Sequence, residues 1–317
     1  MNRSAWPQPN ILISLALKTT PDSSPSLPDI RRELNVKLSF EDYKRIRDFI
    51  YRQTGIMFDD KKLFYVKKRL DARIQNTDAL DYVDYFRDLR FCDPQRLELQ
   101  ALVNLLTTNE TYFFREFEQL ASFAEHCLQE TCQVKRKLGR RRLRLWSAGC
   151  STGEEPYTLA IILREMLEDF DDWNITIYGT DINTRVLETA QQAVYEQRAV
   201  KDVPPEYLAK WFTSTAEKRY RVQQQIRNTV EFERVNLKNP AELTRFSDID
   251  FVFCRNVLIY FDNESRAQVV SSFHDCLNPG GYIFLGHSES LSRITGAFRL
   301  RRKGDSIVYQ KPDQEGK

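Results

Sequence analysis

The sequence has no apolar run near the ~20 residues that a membrane-spanning helix requires. Its longest early apolar stretch, Ile11 to Leu17, is broken by Ser14 and lacks the basic flank and cleavage site of a secretory signal. An excess of one charge is missing too: 47 Lys and Arg stand against 45 Asp and Glu, a formal charge of +2 over 317 residues. Nothing draws the whole molecule to nucleic acid, so any electrostatic targeting must come from a local patch. The 6 cysteines (Cys92, Cys127, Cys132, Cys150, Cys254, Cys276) form no C-x-x-C pair, and Cys127 and Cys132 have no His or Cys partner at zinc spacing. Such thiols fit small hydrophobes in a reducing compartment, not a disulfide framework or a structural metal. The expectation is a soluble, cytoplasmic, monomeric protein that binds neither nucleic acid nor the bilayer interior.

At ~100–200 residues per domain the chain holds about two domains. Residues 1–35, rich in Pro, Ser, Asn and Gln, read as a disordered extension. Ser39-Phe40-Glu41-Asp42 has the form of a capping box; Tyr43, Ile46, Phe49 and Ile50 follow at helical spacing, and Gly55 ends the run. A second helix is expected from Asp60 to Asn76, with shorter helical patterns over Leu80 to Leu89 and Pro94 to Leu106. These patterns place an all-helical domain at 36–93 and a linker helix with a contact segment at 94–115. From Leu143 strands and helices alternate, which implies a parallel sheet covered on both faces over 116–317. Strands are expected at Leu143 to Ser147, Ile175 to Thr180, Val230 to Val235, Asp250 to Cys254 and Gly281 to Gly286, with a final hairpin near Ser306 to Gln310. A polar stretch at about 197–229 interrupts the alternation and reads as an inserted β-subdomain with a strand at Tyr220 to Val222.

The segment Ser147-Ala148-Gly149-Cys150-Ser151-Thr152-Gly153-Glu154-Glu155-Pro156 carries a strand through small residues into a helix. Small residues admit a ligand close to the backbone, and the helix N-terminus offers unpaired amides. A dinucleotide fingerprint is excluded, because its middle glycine is Ser151. Three readings stay open. Gly149 to Gly153 satisfies G-x-S-x-G, so Ser151 could serve an α/β-hydrolase-type esterase with Asp250 and His274 or His287. A nucleoside-plus-amino-acid ligand such as S-adenosyl-L-methionine needs an acid at the end of the second strand, where Asp181 stands. The turn could also hold no ligand at all. Thr107-Thr108-Asn109-Glu110-Thr111-Tyr112-Phe113-Phe114-Arg115 and Cys254-Arg255-Asn256-Val257-Leu258-Ile259-Tyr260-Phe261 concentrate polar and aromatic groups beside the sheet. Ligands of open α/β sheets bind outside the carboxyl ends of the strands, which puts Asn256 and Tyr260 near Gly149 and Asp181.

With Ser151 to Tyr157 and Gly286-His287-Ser288-Glu289-Ser290, these motifs together resemble the CheR-type chemoreceptor glutamate methyltransferases from about residue 39 to 310. The resemblance implies a Rossmann-like class I methyltransferase sheet with an N-terminal all-helical domain and a small inserted β-subdomain. It implies methyl transfer from S-adenosyl-L-methionine, leaving S-adenosyl-L-homocysteine, to glutamates on the cytoplasmic helical domain of chemotaxis receptors. A catalytically silent S-adenosylmethionine-binding regulator is the other use of such a fold. By resemblance, Asn109 and Thr111 lie at the donor's amino-acid end, Glu155 takes its ammonium, and Arg115 is also among the cofactor-binding residues. Asp181 holds the ribose, Asn236 and Leu237 frame the adenine, and Asn256 and Val257 line the floor. Arg115 and Tyr260 are the catalytic candidates that steer the attacking carboxylate. Some members grip a receptor's C-terminal peptide with a Gly-containing loop; Thr213 to Val222 has no Gly, which argues against such tethering here.

Lys61 to Arg73 carries six cations against one acid, with Lys62, Arg69 and Arg73 expected on one helical face. The patch suits either nucleic acid or an acidic receptor helix; no nucleic-acid module accompanies it, and the resemblance favours the helix.

Overall fold

The computed structural model describes residues 37–292 and 294–313; the expected extension over 1–35 lies outside them. Ser39 caps the first helix, α1 (Phe40–Thr54), its hydroxyl accepting the Asp42 amide at 3.0 Å. Gly55 ends it at a left-handed φ of 75°, where a Cβ would stand 2.7 Å from the Phe261 ring. Helices α2 (Leu63–Ile74), α3 (Tyr82–Phe91) and α4 (Leu97–Leu106) complete a helical unit around Tyr43, Ile46, Val66, Leu70 and Tyr85. Helix α4 contributes Leu99, Leu102, Val103 and Leu106 to that core, which joins it to the helices before it.

A segment that sequence periodicity did not single out follows the linker: α5 (Phe117–Ser122), a π-helical turn (Phe123–Leu128) and α6 (Gln129–Lys137). Its reason is packing: Phe123 stands edge-on to Phe251, Phe253 and Phe284 of the sheet, at 5.1–5.7 Å between ring centres.

The strands are β1 (Arg142–Ala148), β2 (Asn174–Asp181), β3 (Val194–Tyr195), β4 (Phe212–Ser214), β5 (Tyr220–Val222), β6 (Val230–Arg234), β7 (Ile249–Cys254), β8 (Leu277–Leu285), β9 (Arg299–Lys303) and β10 (Ser306–Gln310). Seven form one sheet in the order β6-β2-β1-β7-β8-β10-β9, parallel from β6 to β8 and antiparallel through β10 and β9. Successive side chains alternate faces, so on β7 Phe251 and Phe253 enter one core while Val252 and Cys254 enter the other. Helix α7 (Glu154–Met166) fills the first core and the helix Asn263–Cys276 the second, so the sheet is covered on both sides as expected. The three strands β3-β5-β4 form a small antiparallel sheet between β2 and β6 in the chain. Phe113 of the linker plugs into it, edge-on to Tyr195 and Phe212 at 4.9 and 5.0 Å.

The chain order reverses at β1: β2 and β6 lie on one side, β7 and β8 on the other. Such a switch point opens a crevice at the carboxyl ends of the strands. The helical unit closes over it. The Tyr51 hydroxyl donates to Asp262 at 2.8 Å, the Met57 amide to the Tyr260 carbonyl at 2.9 Å, and the Gln100 amide to the Ile182 carbonyl at 2.8 Å.

Candidate active site

The crevice encloses about 340 Å³. It gathers the ends of β1, β2 and β7, the 107–115 segment and the helical unit. Asn109, Thr111, Arg115, Glu155, Asp181, Asn236, Leu237, Asn256, Val257, Tyr260 and Lys62 all line it. Arg69 and Arg73 do not, and no histidine stands among the described lining residues.

The turn after β1 owes its shape to two glycines. Gly149 has φ 84°, and a Cβ there would lie 2.4 Å from Val257 Cγ2; Gly153 has φ 92° and opens α7. Asp181 ends β2 with its carboxylate under that turn, accepting the Ser151 amide at 2.9 Å and the Asn183 amide at 2.9 Å. Burial pushes its carboxyl up from the usual carboxylate range, against the pull of those amides. Glu155, in the first turn of α7, accepts from the Ser147 hydroxyl at 2.6 Å and from Arg255 at 3.1 Å.

Arg255 carried no role in the sequence reading, although it follows the apolar strand Ile249–Cys254 directly, a place where a cation needs partners. Its guanidinium is buried and spans Glu155, Glu116 (3.1 Å) and the Arg115 carbonyl, tying the linker to the sheet. Among the described residues Arg115 makes no ion pair; its Nη1 donates to the Glu110 carbonyl at 2.9 Å and its guanidinium lies 5.8 Å from the Tyr112 ring centre. Of the linker aromatics, Phe113 and Phe114 are buried, and Phe114 lines the crevice together with Tyr112. Burial raises the Tyr260 hydroxyl above its ordinary value, so it stays a donor at neutral pH. The Asn236 amide donates to the Gln53 carbonyl at 2.7 Å, which fastens the crevice wall to α1.

The geometry overturns one expectation and shows the partners of the cations in another. The Ser151 hydroxyl donates to the Asn109 carbonyl at 3.4 Å and meets no histidine. Asp250 sits at the amino end of β7, bound by Lys135 at 2.7 Å, whereas Ser151 follows the carboxyl end of parallel β1. A strand's length separates them, so the esterase constellation does not assemble. The second concerns the basic face. Arg73 turns into a two-pronged pair with Glu98 of α4, at 2.9 and 2.6 Å, and Tyr85 donates to the same carboxylate. Arg69 lies over the Tyr65 ring at 3.4 Å and donates to the Leu105 carbonyl. Lys61, Lys62 and Lys68 remain exposed, around Phe64 at 81% exposure.

The Asn256 side-chain oxygen is buried at the crevice with no partner among the described residues. An orphaned acceptor, a glycine cradle, an acid at the second strand's end and a carboxylate at a helix N-terminus fit a ligand with sugar hydroxyls and an ammonium group. Fold and site together define a Rossmann-like methyltransferase.

Residues 109–306 match the family model described as CheR methyltransferase, SAM binding domain, and residues 41–107 that of the CheR methyltransferase all-alpha domain. The chain belongs to the CheR methyltransferase family, whose methyl donor is S-adenosyl-L-methionine. It is 44% identical over 271 residues to chemotaxis protein methyltransferase 2 of Vibrio cholerae, covering 86% of this chain and 93% of that protein. It is 37% identical to chemotaxis protein methyltransferase 2 of Pseudomonas aeruginosa (85% and 92% covered) and 35% identical to the chemotaxis protein methyltransferase of Escherichia coli (83% and 89%). Neither an esterase nor a silent regulator finds support in these matches.

Proposed function

We propose that this methyltransferase esterifies glutamate side chains on the cytoplasmic helical domain of chemotaxis receptors, as part of sensory adaptation. One observation carries the choice of acceptor: the crevice offers a cation, Arg115, and a protonated phenol, Tyr260, both suited to a carboxylate. A glutamate with an ordinary pKa of ~4.3 is already ionised near neutral pH and needs no base. Amine or hydroxyl acceptors would need one.

When bound, S-adenosyl-L-methionine supplies a methyl group on a positively charged sulfur. The chain's own residues supply alignment, worth on the order of 7–11 kcal/mol when two reactants are well oriented. In this reading Asp181 accepts from the ribose hydroxyls, and Asn236 with Leu237 bounds the base. Glu155 faces the ammonium while Asn109 and Thr111 meet the same amino-acid end. Glu155 and Glu116 share the single charge of Arg255, so the cluster holds one surplus negative charge that an ammonium neutralises. Asn256 and Val257 form the floor. Arg115 draws in the acceptor carboxylate and Tyr260 donates to it. Lys61, Lys62 and Lys68 around exposed Phe64 give the acidic, amphipathic receptor helix a place to dock.

The test is incubation with radiolabelled S-adenosyl-L-methionine and receptor-rich membranes. Label on the receptor that is released by base marks a carboxyl ester; base-stable label would overturn this choice of acceptor.

A further inference from the structure

Glu289 lies outside the crevice lining, in the Gly286–Ser290 segment that follows β8. Its Oε2 accepts the backbone amides of Asn256 and Gly286, both at 2.8 Å, and its Oε1 accepts the Ile259 amide at 3.2 Å. One carboxylate thus takes up amides from both ends of the loop that leaves β7 and carries Asn256, Val257 and Tyr260. The loop has a reason to need such a hold. Asn256 stands at a left-handed φ of 60°, which disfavours side-chain-bearing residues, and its Oδ1 is buried without a partner among the described residues. The seat admits no side chain at Gly286, where a Cβ would lie 2.7 Å from Asn256 Nδ2 and 2.9 Å from Glu289 Oε2. Burial raises the Glu289 carboxyl and the surrounding amides oppose the rise, as for a carboxylate serving backbone donors.

We infer that Glu289 is a positioning residue for methyl transfer: its carboxylate pins the Asn256–Tyr260 loop from behind, fixing the direction in which the Tyr260 hydroxyl meets the acceptor. The inference rests on the proposed methyl transfer to a carboxylate. A glutamine at 289 keeps one acceptor oxygen but turns an NH2 group towards backbone N–H donors, so at least one of the three bonds is lost. An aspartate keeps the charge but withdraws it by one methylene. The loop's inner side remains packed through Val257 on Gly149, so the donor's seat is disturbed less than the hydroxyl's direction.

The experiment compares wild type, Glu289→Gln and Glu289→Asp in full-length protein. Receptor-methylation kcat and KM are measured together with calorimetric affinity for S-adenosyl-L-homocysteine and the thermal midpoint. For Glu289→Gln we expect kcat per folded molecule to fall at least tenfold, with receptor KM and homocysteine-product affinity within about threefold of wild type. Glu289→Asp should recover part of the loss; should the glutamine variant not fold, the aspartate variant alone must show the same split between kcat and affinity. A kcat within twofold of wild type, or a drop in thermal midpoint at unchanged kcat per folded molecule, overturns the inference and leaves the proposed function standing. A wild type that binds the product yet methylates no receptor overturns both.

Discussion

Glu154→Gln should remove a pH dependence of stability that the wild-type fold carries between pH 4.5 and about 7. Glu154 opens α7 beside the crevice turn but lies outside the crevice lining, 3% exposed, with the Thr152 hydroxyl donating to its Oε2 at 2.6 Å. Burial raises its carboxyl from 4.5 to about 7; the Thr152 bond, its own backbone and Arg198 pull the other way and lose. An acid whose folded pKa is raised favours the native state fully below the unfolded value, and that advantage disappears as pH climbs through the folded value. At about 1.4 kcal/mol per tenfold in proton affinity, the carboxyl costs the native state about 3 kcal/mol by pH 8 relative to pH 4.5. A glutamine pays no such penalty, keeps the shape and can still accept from Thr152. Urea denaturation of both proteins from pH 4.5 to 8.5 supplies the test. Other buried acids, Asp181, Asp250 and Glu289, are also raised, so the quantity to read is the difference between the two curves. The variant should gain on wild type progressively to about pH 7 and hold a constant lead beyond. Parallel curves across the range would refute the reasoning.

Arg115→Ala should lower receptor-methylation kcat about 10–150-fold, the equivalent of one hydrogen bond to a charged group at ~1.5–3 kcal/mol, while calorimetry finds product affinity nearly unchanged. Reversing Lys61 and Lys68 to glutamate, both outside the crevice lining, should raise the KM for receptor, with the KM for S-adenosyl-L-methionine unmoved. Arg73→Ala should behave differently from those surface changes, costing about 2–3 kcal/mol in urea denaturation because Glu98 loses a paired cation. Gly149→Ala should weaken product binding at least tenfold by calorimetry, since φ 84° strains any side chain by about 1–2 kcal/mol and the new Cβ displaces Val257.

Much of the architecture was readable in advance because its signals are local. The Ser39 cap and Gly55 stop bound α1 where the residues say they should, and Gly153, by taking a positive φ, starts α7 two residues ahead of Pro156. The crevice was readable through a topological rule: strand ends at a chain reversal attract ligands, and the residues there were polar and small. What escaped depends on partners distant in sequence. Helices α5 and α6 earn their conformation from Phe123 meeting three sheet phenylalanines, which no window of sequence displays. Arg69 and Arg73 have the spacing of a solvent face, yet α4 lies against that face and claims both. Arg255 and Glu289 were visible as motif letters only; the partners of the first lie 100 residues or more away, and two of the three partners of the second lie 30 and 33 away.

The helical unit supplies part of the crevice itself, through Thr54, Ile56, Phe58, Lys62 and Tyr65, and the Ile56–Phe261 bridge ties it to the loop beside Tyr260. The α/β portion is therefore not a portable catalytic cassette. Cut free, it would keep the strand ends but expose the donor seat to bulk water along one flank. Any attempt to redirect this enzyme by swapping its first hundred residues would exchange a wall of the reaction vessel along with the address label.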